Sequence, residues 1–304
     1  MTTRSHCHSA LFLAALFLAG LSSPACSSAT AQAPAPAAPV VPEPVRSAWP
    51  EPAAVPESGE SLVHALFETS AQAVEPGGKF LLAVRFQIPE DYRISWTNPG
   101  DVGQSTHVSF EVPEGFVLGP LQFPAPRRFN LPGKLVSYGY DRETAVFAEV
   151  IAPEHLSESQ VMRFDVKADW LACKEECASE ELGAWFELVS QRRAPEPQLP
   201  DDLGSYYSAL PKAFADLPEA SHDWKITRGK PALTLSAADV KWLDFFPSDP
   251  EQPKLLGVEH EGEALRVQFA KAKTAPSGPL RGLAVGEVEG KLASFAVDLP
   301  WPNQ

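Results

Sequence analysis

From residue 61 to about residue 190, apolar residues recur in short runs with a period of two. The clearest run covers 80–88, where Phe80, Leu82, Val84, Phe86 and Ile88 share one face. Such alternation marks a half-buried strand, because successive side chains on a strand point to opposite faces. Similar runs lie at 107–112, 116–123, 145–151, 162–172 and 184–189. Turn formers separate them, among them Asn98-Pro99-Gly100-Asp101 and Leu131-Pro132-Gly133. No strong amphipathic helix interrupts the series. The pattern predicts an immunoglobulin-like antiparallel β-sandwich over 61–195. Residues 191–200 (QRRAPEPQLP) punctuate the chain, and 205–217 reads as one or two short helices broken at Pro211. Strand-like runs resume at 232–235, 242–246, 255–258, 264–270, 283–288 and 292–297, predicting a second, smaller sandwich over 205–304. The fold class is therefore all-β, with two tandem immunoglobulin-like sandwiches.

The first 60 residues follow another pattern. Residues 1–9 carry Arg4 and no acid, and 10–21 (ALFLAALFLAGL) are apolar. That run is too short for ~30 Å of hydrocarbon but suits a signal-peptide core. Ala31-Gln32-Ala33 offers a cleavage site that makes 1–33 the signal peptide. Ser23-Pro24-Ala25-Cys26 offers a lipoprotein-type exit, with cleavage before Cys26 and a lipid on it. Either exit places the chain in the periplasm or cell envelope. Residues 34–60 are rich in Pro and Ala and read as a semi-extended linker. No later stretch is apolar for the 18 residues or more of a spanning helix.

Charge and composition narrow the function. Lys and Arg number 25 against 39 Asp and Glu, a net charge of −14. That excludes nucleic-acid binding by phosphate neutralisation and disfavours an anionic membrane surface, so membrane contact is expected only through a lipid anchor. Of the 4 Cys, Cys7 leaves with the signal and Cys26 is removed or lipidated. Cys173 and Cys177 remain, in a compartment where disulfides form. His107, His155, His222 and His260 show no ligand spacing, so no metal is expected. Nucleotide-binding and hydrolase motifs are absent, and no organic cofactor is implied.

Four residues of extended strand would hold Cys173 and Cys177 ~13 Å apart at ~3.3 Å per residue, whereas a disulfide needs Cα atoms about 4.4–6.8 Å apart. The strand ending near Ala172 must therefore fold back over 174–176. A bond closing so short a loop removes only roughly 2 kcal/mol of chain entropy, against about 4.7 for a 100-residue loop. Lys174 favours a thiolate, while Glu175 and Glu176 oppose it. Spacing and compartment leave reversible redox chemistry and a structural disulfide both open. Two thiolates without a third ligand make a poor zinc site.

Several segments together resemble the N-terminal periplasmic domain of the thiol:disulfide interchange protein DsbD, and more closely the related reductases linked to suppression of copper sensitivity. They are Trp96-Thr97-Asn98-Pro99-Gly100-Asp101-Val102-Gly103, Phe123-Pro124-Ala125-Pro126, Tyr138-Gly139-Tyr140 and Trp170-Leu171-Ala172-Cys173-Lys174-Glu175-Glu176-Cys177. They follow the family's order across about 61–190. Ala178-Ser179 stands where relatives commonly carry an apolar residue and Pro. The resemblance implies that Cys173 and Cys177 form a redox pair of protein-disulfide reductase type. That pair would take electrons from a membrane-embedded thiol reductase and pass them to periplasmic thioredoxin-like proteins. Both partners are expected to be separate chains.

Around that pair, Trp96 could shield the sulfurs or pack under a Pro-Gly turn. Tyr138 and Tyr140, alternating with Gly139, could line a redox pocket or pack across strands. Asp169 and Lys174 could tune a thiol, or be solvated. Trp170 shares a face with Phe164 and Val166 and is expected in the core. Arg127-Arg128 is expected in a solvated loop. Two rivals stand beside the shuttle: a non-catalytic envelope sandwich for binding or assembly with a structural disulfide, and copper handling. Few Met and scattered His disfavour the second rival.

Overall fold

The computed structural model describes residues 61–271, 276 and 278–302. The signal peptide, the Cys26 lipid site and the Pro/Ala linker lie outside the described residues. Ten strands come first: β1 (His64–Thr69), β2 (Lys79–Gln87), β3 (Arg93–Gly100), β4 (His107–Glu111), β5 (Val117–Leu118), β6 (Arg127–Leu131), β7 (Leu135–Tyr140), β8 (Thr144–Ile151), β9 (Val161–Cys173) and β10 (Cys177–Val189). Helix α1 (Asp201–Ser208) follows. Then come β11 (Lys212–Ala213), β12 (Ser221–Thr227), β13 (Lys230–Ser236), β14 (Val240–Pro247), β15 (Leu255–Glu261), β16 (Ala264–Phe269), β17 (Leu280–Val288) and β18 (Lys291–Leu299). The all-β expectation holds.

The first ten strands make two sheets, ordered β1-β2-β8-β5 and β10-β9-β3-β7-β6, with β4 also on β9. Their facing sides share one core. Phe80, Leu82, Val84 and Phe86 are buried in it, as the period of two requires. So are Phe164, Val166 and Trp170 from β9. The last eight strands make the sheets β11-β18-β17-β14 and β12-β13-β16-β15, around Leu233, Phe245, Val267, Phe269 and Phe295.

Several strands escaped the pattern. The first half of β10 (CASEELG) is acidic, and β12 (SHDWKIT) is largely exposed. Edge strands bury little, so they carry no apolar alternation. β3 incorporates Trp96 and Asn98, which turn chemistry had placed in a loop; its register shifts between Ser95 and Gly100 as it pairs with β7. Of the run at 116–123, only Val117–Leu118 is strand. The predicted helix begins earlier and is shorter, and Phe214–Asp216 forms a separate 3-10 turn. Helix α1 brings Leu203 onto Ala83, Ala145 and Phe147, covering the outer face of the β1-β2-β8-β5 sheet. Arg85 pins its start, reaching Asp202, Glu143 and Glu68.

The β14-β17-β18 sheet is buried on both faces. Adjacent residues point oppositely, so Phe245 enters the second core while Phe246 enters the first, with Leu283 and Val285. Phe246 meets Tyr138 edge-on at 5.4 Å and Trp96 at 6.5 Å between ring centroids. Arg128 lies over the Tyr138 and Phe246 rings at 5.2 and 5.4 Å. Its Nε and Nη2 donate to the Asp244 carboxylate at 2.8 and 2.6 Å. Arg128 is thus a clamp between the sandwiches, contrary to the solvated loop expected for it; desolvation alone would have made it a poor buried charge, and the bidentate carboxylate offsets that. Asn98 Nδ2 donates to the Pro247 carbonyl at 2.7 Å, and Lys254 pairs with Asp101.

Two tests follow from this junction. Phe246→Ala should lower the unfolding free energy by about 3–5 kcal/mol, as for other buried Phe truncations; a loss below about 1 kcal/mol in urea unfolding would contradict the packing described. Burial would raise the Asp101 carboxyl, but bonds from Lys254 and the Val136 N–H outweigh it and hold it below its ordinary value. A depressed carboxyl contributes stability above its unfolded pKa and loses it as pH falls through the folded one. Asp101→Asn should therefore cost about 1 kcal/mol at pH 7, with the difference vanishing on acidification below about pH 3.8. A pH-independent difference in denaturant melts would contradict this.

Candidate functional site

The site is the tip of the β9–β10 hairpin. The two strands pair without a bulge from Val161↔Val189 to Cys173↔Cys177. The loop 174–176 closes them, with Lys174 N–H donating to the Glu176 carbonyl at 3.0 Å. This is the tight turn that the spacing demanded. Directly opposite residues share a face, so Cys173 and Cys177 point together and form a disulfide, with Cα atoms 4.1 Å apart, slightly closer than the usual range. Their face is the outer one, shared with Leu171 and Asp169, while Ala172, Trp170 and Ala168 turn into the core. Exposure is uneven: Cys173 is 7% exposed, whereas Cys177 is open to solvent.

The tip is braced from below and from the side. Trp170 is 2% exposed, as expected, and packs edge-on against Phe86 at 5.1 Å. Its Nε1 donates to Glu180 Oε2 at 2.9 Å, and the same carboxylate accepts the N–H groups of Leu62 and Val63. Beside the tip lies the β2–β3 turn, closed by Tyr92 N–H donating to the Pro89 carbonyl at 3.1 Å. Lys174 Nζ reaches Asp91 at 3.1 Å and sits 5.8 Å from the centre of the Tyr92 ring. The loop's cation is thus engaged by a carboxylate. Arg93 stands opposite Cys173 in register, and its guanidinium lies 5.7 Å over the Phe129 ring. Tyr92, Arg93, Phe129, Asp141 and Glu143 line an open groove of about 650 Å³.

The other predicted site residues divide by location. Lys174 is at the tip. Asp169 is further down the same face, flanked in register by Glu181 on β10 and His107 on β4. Trp96 and Tyr138 make their aromatic contacts with Phe246 of the second sandwich. Tyr138 also bonds Arg128 at 3.4 Å; burial chiefly raises its phenol, with Arg128 opposing. Tyr140 is buried, which pushes its phenol well above its usual range, and it donates to the Pro124 carbonyl at 2.7 Å. Gly139 between the two tyrosines lies where a Cβ would stand 2.1 Å from the Ile94 carbonyl oxygen, so β3 and β7 approach as they do only because a glycine is there. Asp91, Tyr92, Arg93 and Phe129 were not singled out by sequence. The Pro89 turn after a clear strand was the available signal, but nothing in it indicated which hairpin it would meet. Among the described residues no group of three or more His, Cys, Asp or Glu could hold a metal, and no helix is long and apolar enough to cross a membrane.

Residues 63–182 match the family model for thiol:disulfide interchange protein DsbD, N-terminal, which bears out the resemblance over that segment. Among solved structures, the N-terminal periplasmic domain of ScsB from Proteus mirabilis is similar at 15% identity and a TM-score of 0.54, covering 83% of this chain and 98% of that one. At that identity the likeness concerns fold. The E. coli chaperone DraB matches at 11% identity over 77% of this chain and 98% of its own, with a TM-score of 0.22, too low to bear on architecture. No curated protein matched the sequence.

The short loop sets an expectation for stability. Thirteen register pairs join β9 and β10 independently of the sulfurs. Reduction should leave the β-sheet circular dichroism intact and cost roughly 2 kcal/mol in denaturant unfolding, the entropy of so small a loop. Global unfolding on reduction would mark the bond as a structural staple.

Proposed function

We propose that this chain is an exported thiol–disulfide exchange protein that works through Cys173 and Cys177. The observation that carries this reading is a disulfide at a solvent-facing hairpin tip, one sulfur-bearing residue open, in a segment that matches a thiol:disulfide interchange family. We take residues 61–195 as the exchange domain and 205–304 as a second sandwich docked on it, in a periplasmic chain that is either soluble after cleavage at Ala33 or lipid-anchored at Cys26. Electrons arrive from a membrane-embedded thiol reductase and leave to periplasmic thioredoxin-like proteins.

The uneven exposure supports one order of events. On loading, a donor thiolate attacks Cys177 Sγ. The Cys173–Cys177 bond breaks and its electron pair stays on Cys173 Sγ as thiolate. The donor's second thiolate then attacks the mixed disulfide and releases Cys177. The donor dithiol ends as a disulfide, and the Cys pair has gained two electrons. Protons follow from solvent. On delivery, Cys177 thiolate attacks the acceptor's disulfide. Cys173 thiolate then attacks Cys177 Sγ and frees the reduced acceptor. Cys173, set against Arg93 and largely covered, meets only its neighbour sulfur; intramolecular resolution needs no more.

Cys173→Ser should trap a mixed disulfide with a thioredoxin-fold partner, whereas Cys177→Ser should trap at least tenfold less. The midpoint potential should lie above about −300 mV, the level below which structural disulfides sit. Trapping by neither variant, or a potential well below that level, would sink the exchange reading and favour a binding sandwich with a structural disulfide.

A further inference from the structure

Opening the disulfide puts a negative charge on a covered atom. The electron pair lands on Cys173 Sγ, and Cys173 is 7% exposed. Water solvates a thiolate poorly there, so burial opposes its release unless a cation meets it. The loop's own cation is already engaged, because Lys174 Nζ sits on Asp91 at 3.1 Å and beside the Tyr92 ring. The other charges of the hairpin tip are negative. Glu175 and Glu176 are exposed in the loop, and Asp169 lies four residues down the same face, opposite Glu181. All of these oppose a thiolate.

Arg93 is the cation placed to meet it. It stands directly opposite Cys173 across the β3–β9 pair. Ile94 and Ala172, the next pair along, are buried in the core, so Arg93 and Cys173 share the outer face. Residues so placed have Cβ atoms about 4.5–5.5 Å apart. An arginine side chain is longer than that gap, so rotation alone can bring its guanidinium to Cys173 Sγ. The nearby acids have cations of their own. Asp141 accepts from Arg127 Nη1 at 2.8 and 2.7 Å, and Glu143 accepts from Arg85 at 3.3 Å. Glu90 and Arg142, which also line the groove, are exposed. Among the described residues the Arg93 guanidinium has no ion pair; it lies 5.7 Å over the Phe129 ring. A contact with an aromatic face is weaker than a charge-assisted bond to an anion. The guanidinium is thus kept near the sulfur without being committed to another charge.

We propose that Arg93 is a catalytic residue of the exchange reaction: its guanidinium leaves the Phe129 ring as the disulfide opens and donates to the Cys173 thiolate. A donor thiolate attacks Cys177 Sγ and the Cys173–Cys177 bond breaks. The electron pair that moves onto Cys173 Sγ is met by an Arg93 N–H, which keeps its proton. On delivery the Cys173 thiolate attacks Cys177 Sγ, the charge passes to the acceptor's departing sulfur, and Arg93 returns to the ring. This deepens the exchange reading and rests on it.

The full-length Cys177→Ser chain isolates Cys173 and requires no redox function of the native pair. Its ultraviolet thiolate absorbance, less that of the chain lacking both cysteines of the pair, follows the Cys173 titration. Adding Arg93→Gln should raise the midpoint by about one pH unit or more, the scale of a lost neighbouring charge. Arg93→Lys keeps the charge and should bring the midpoint most of the way back. Arg142→Gln removes a cation of the same groove that is not in register with Cys173, and should leave the midpoint in place. An unmoved midpoint in Arg93→Gln, or equal shifts in the Gln and Lys variants, overturns the proposal; so does an equal shift in Arg142→Gln. In a second arm, dithiothreitol opens the native disulfide with Cys177 present. A leaving thiol of lower pKa departs faster, so opening should slow severalfold in Arg93→Gln and recover in Arg93→Lys. Equal rates in wild type and Arg93→Gln overturn the role of Arg93 and leave the exchange reading standing. A wild-type disulfide inert to dithiothreitol overturns both.

Discussion

The register of the β9–β10 hairpin is the constraint on which the site depends. With a side-chain period of two, a slip of one residue would exchange every inward and outward position. Trp170, Ala172 and Phe186 would leave the core, and the two cysteines would lose each other. The core therefore holds the sulfurs in place. Burial of Trp170 against Phe86, and its bond to Glu180, determine that Cys173 and Cys177 arrive opposite each other at the turn. The bond itself closes a loop too small to add much stability.

A second constraint joins the two sandwiches. A sheet with both faces buried belongs to two cores at once, so the β14-β17-β18 sheet cannot leave the first sandwich without exposing Phe246, Leu283 and Val285. Arg128 and Asp244 add a bidentate, directional pair across the same junction. Together they make the second sandwich a fixed part of the body that carries the hairpin tip. The helix side is held separately, by Arg85 reaching three carboxylates and by Leu203 beneath the helix.

How far the site was legible varied by residue. The cysteine pair was legible because two of the four cysteines stand close together far beyond the apolar N-terminal run, and the forced turn followed from bond geometry. The place of Trp170 was legible because a long strand alternates cleanly. Trp96, Tyr138 and Arg128 were harder. By sequence Trp96 and Tyr138 are plausible neighbours of a reactive pair and Arg128 a solvated loop residue, yet their contacts are with Phe246 and Asp244, more than a hundred positions away. Asp91, Tyr92 and Arg93 gave no local signal, since a turn shows its residues but not the element it will touch. β10 was half hidden because an edge strand with an acidic outer face carries no apolar rhythm.

The sequence by itself determined the all-β class, the tight turn between Cys173 and Cys177 and the inward side of the long strands, because these depend on alternation, chain geometry and the reach of a few residues. Only the tertiary structure decided which cysteine meets solvent, what stands beside it and where the edge of β10 lies open. Those properties arise from the order of strands in a sheet and from contacts between distant segments. Neither leaves a periodic trace in the local chain.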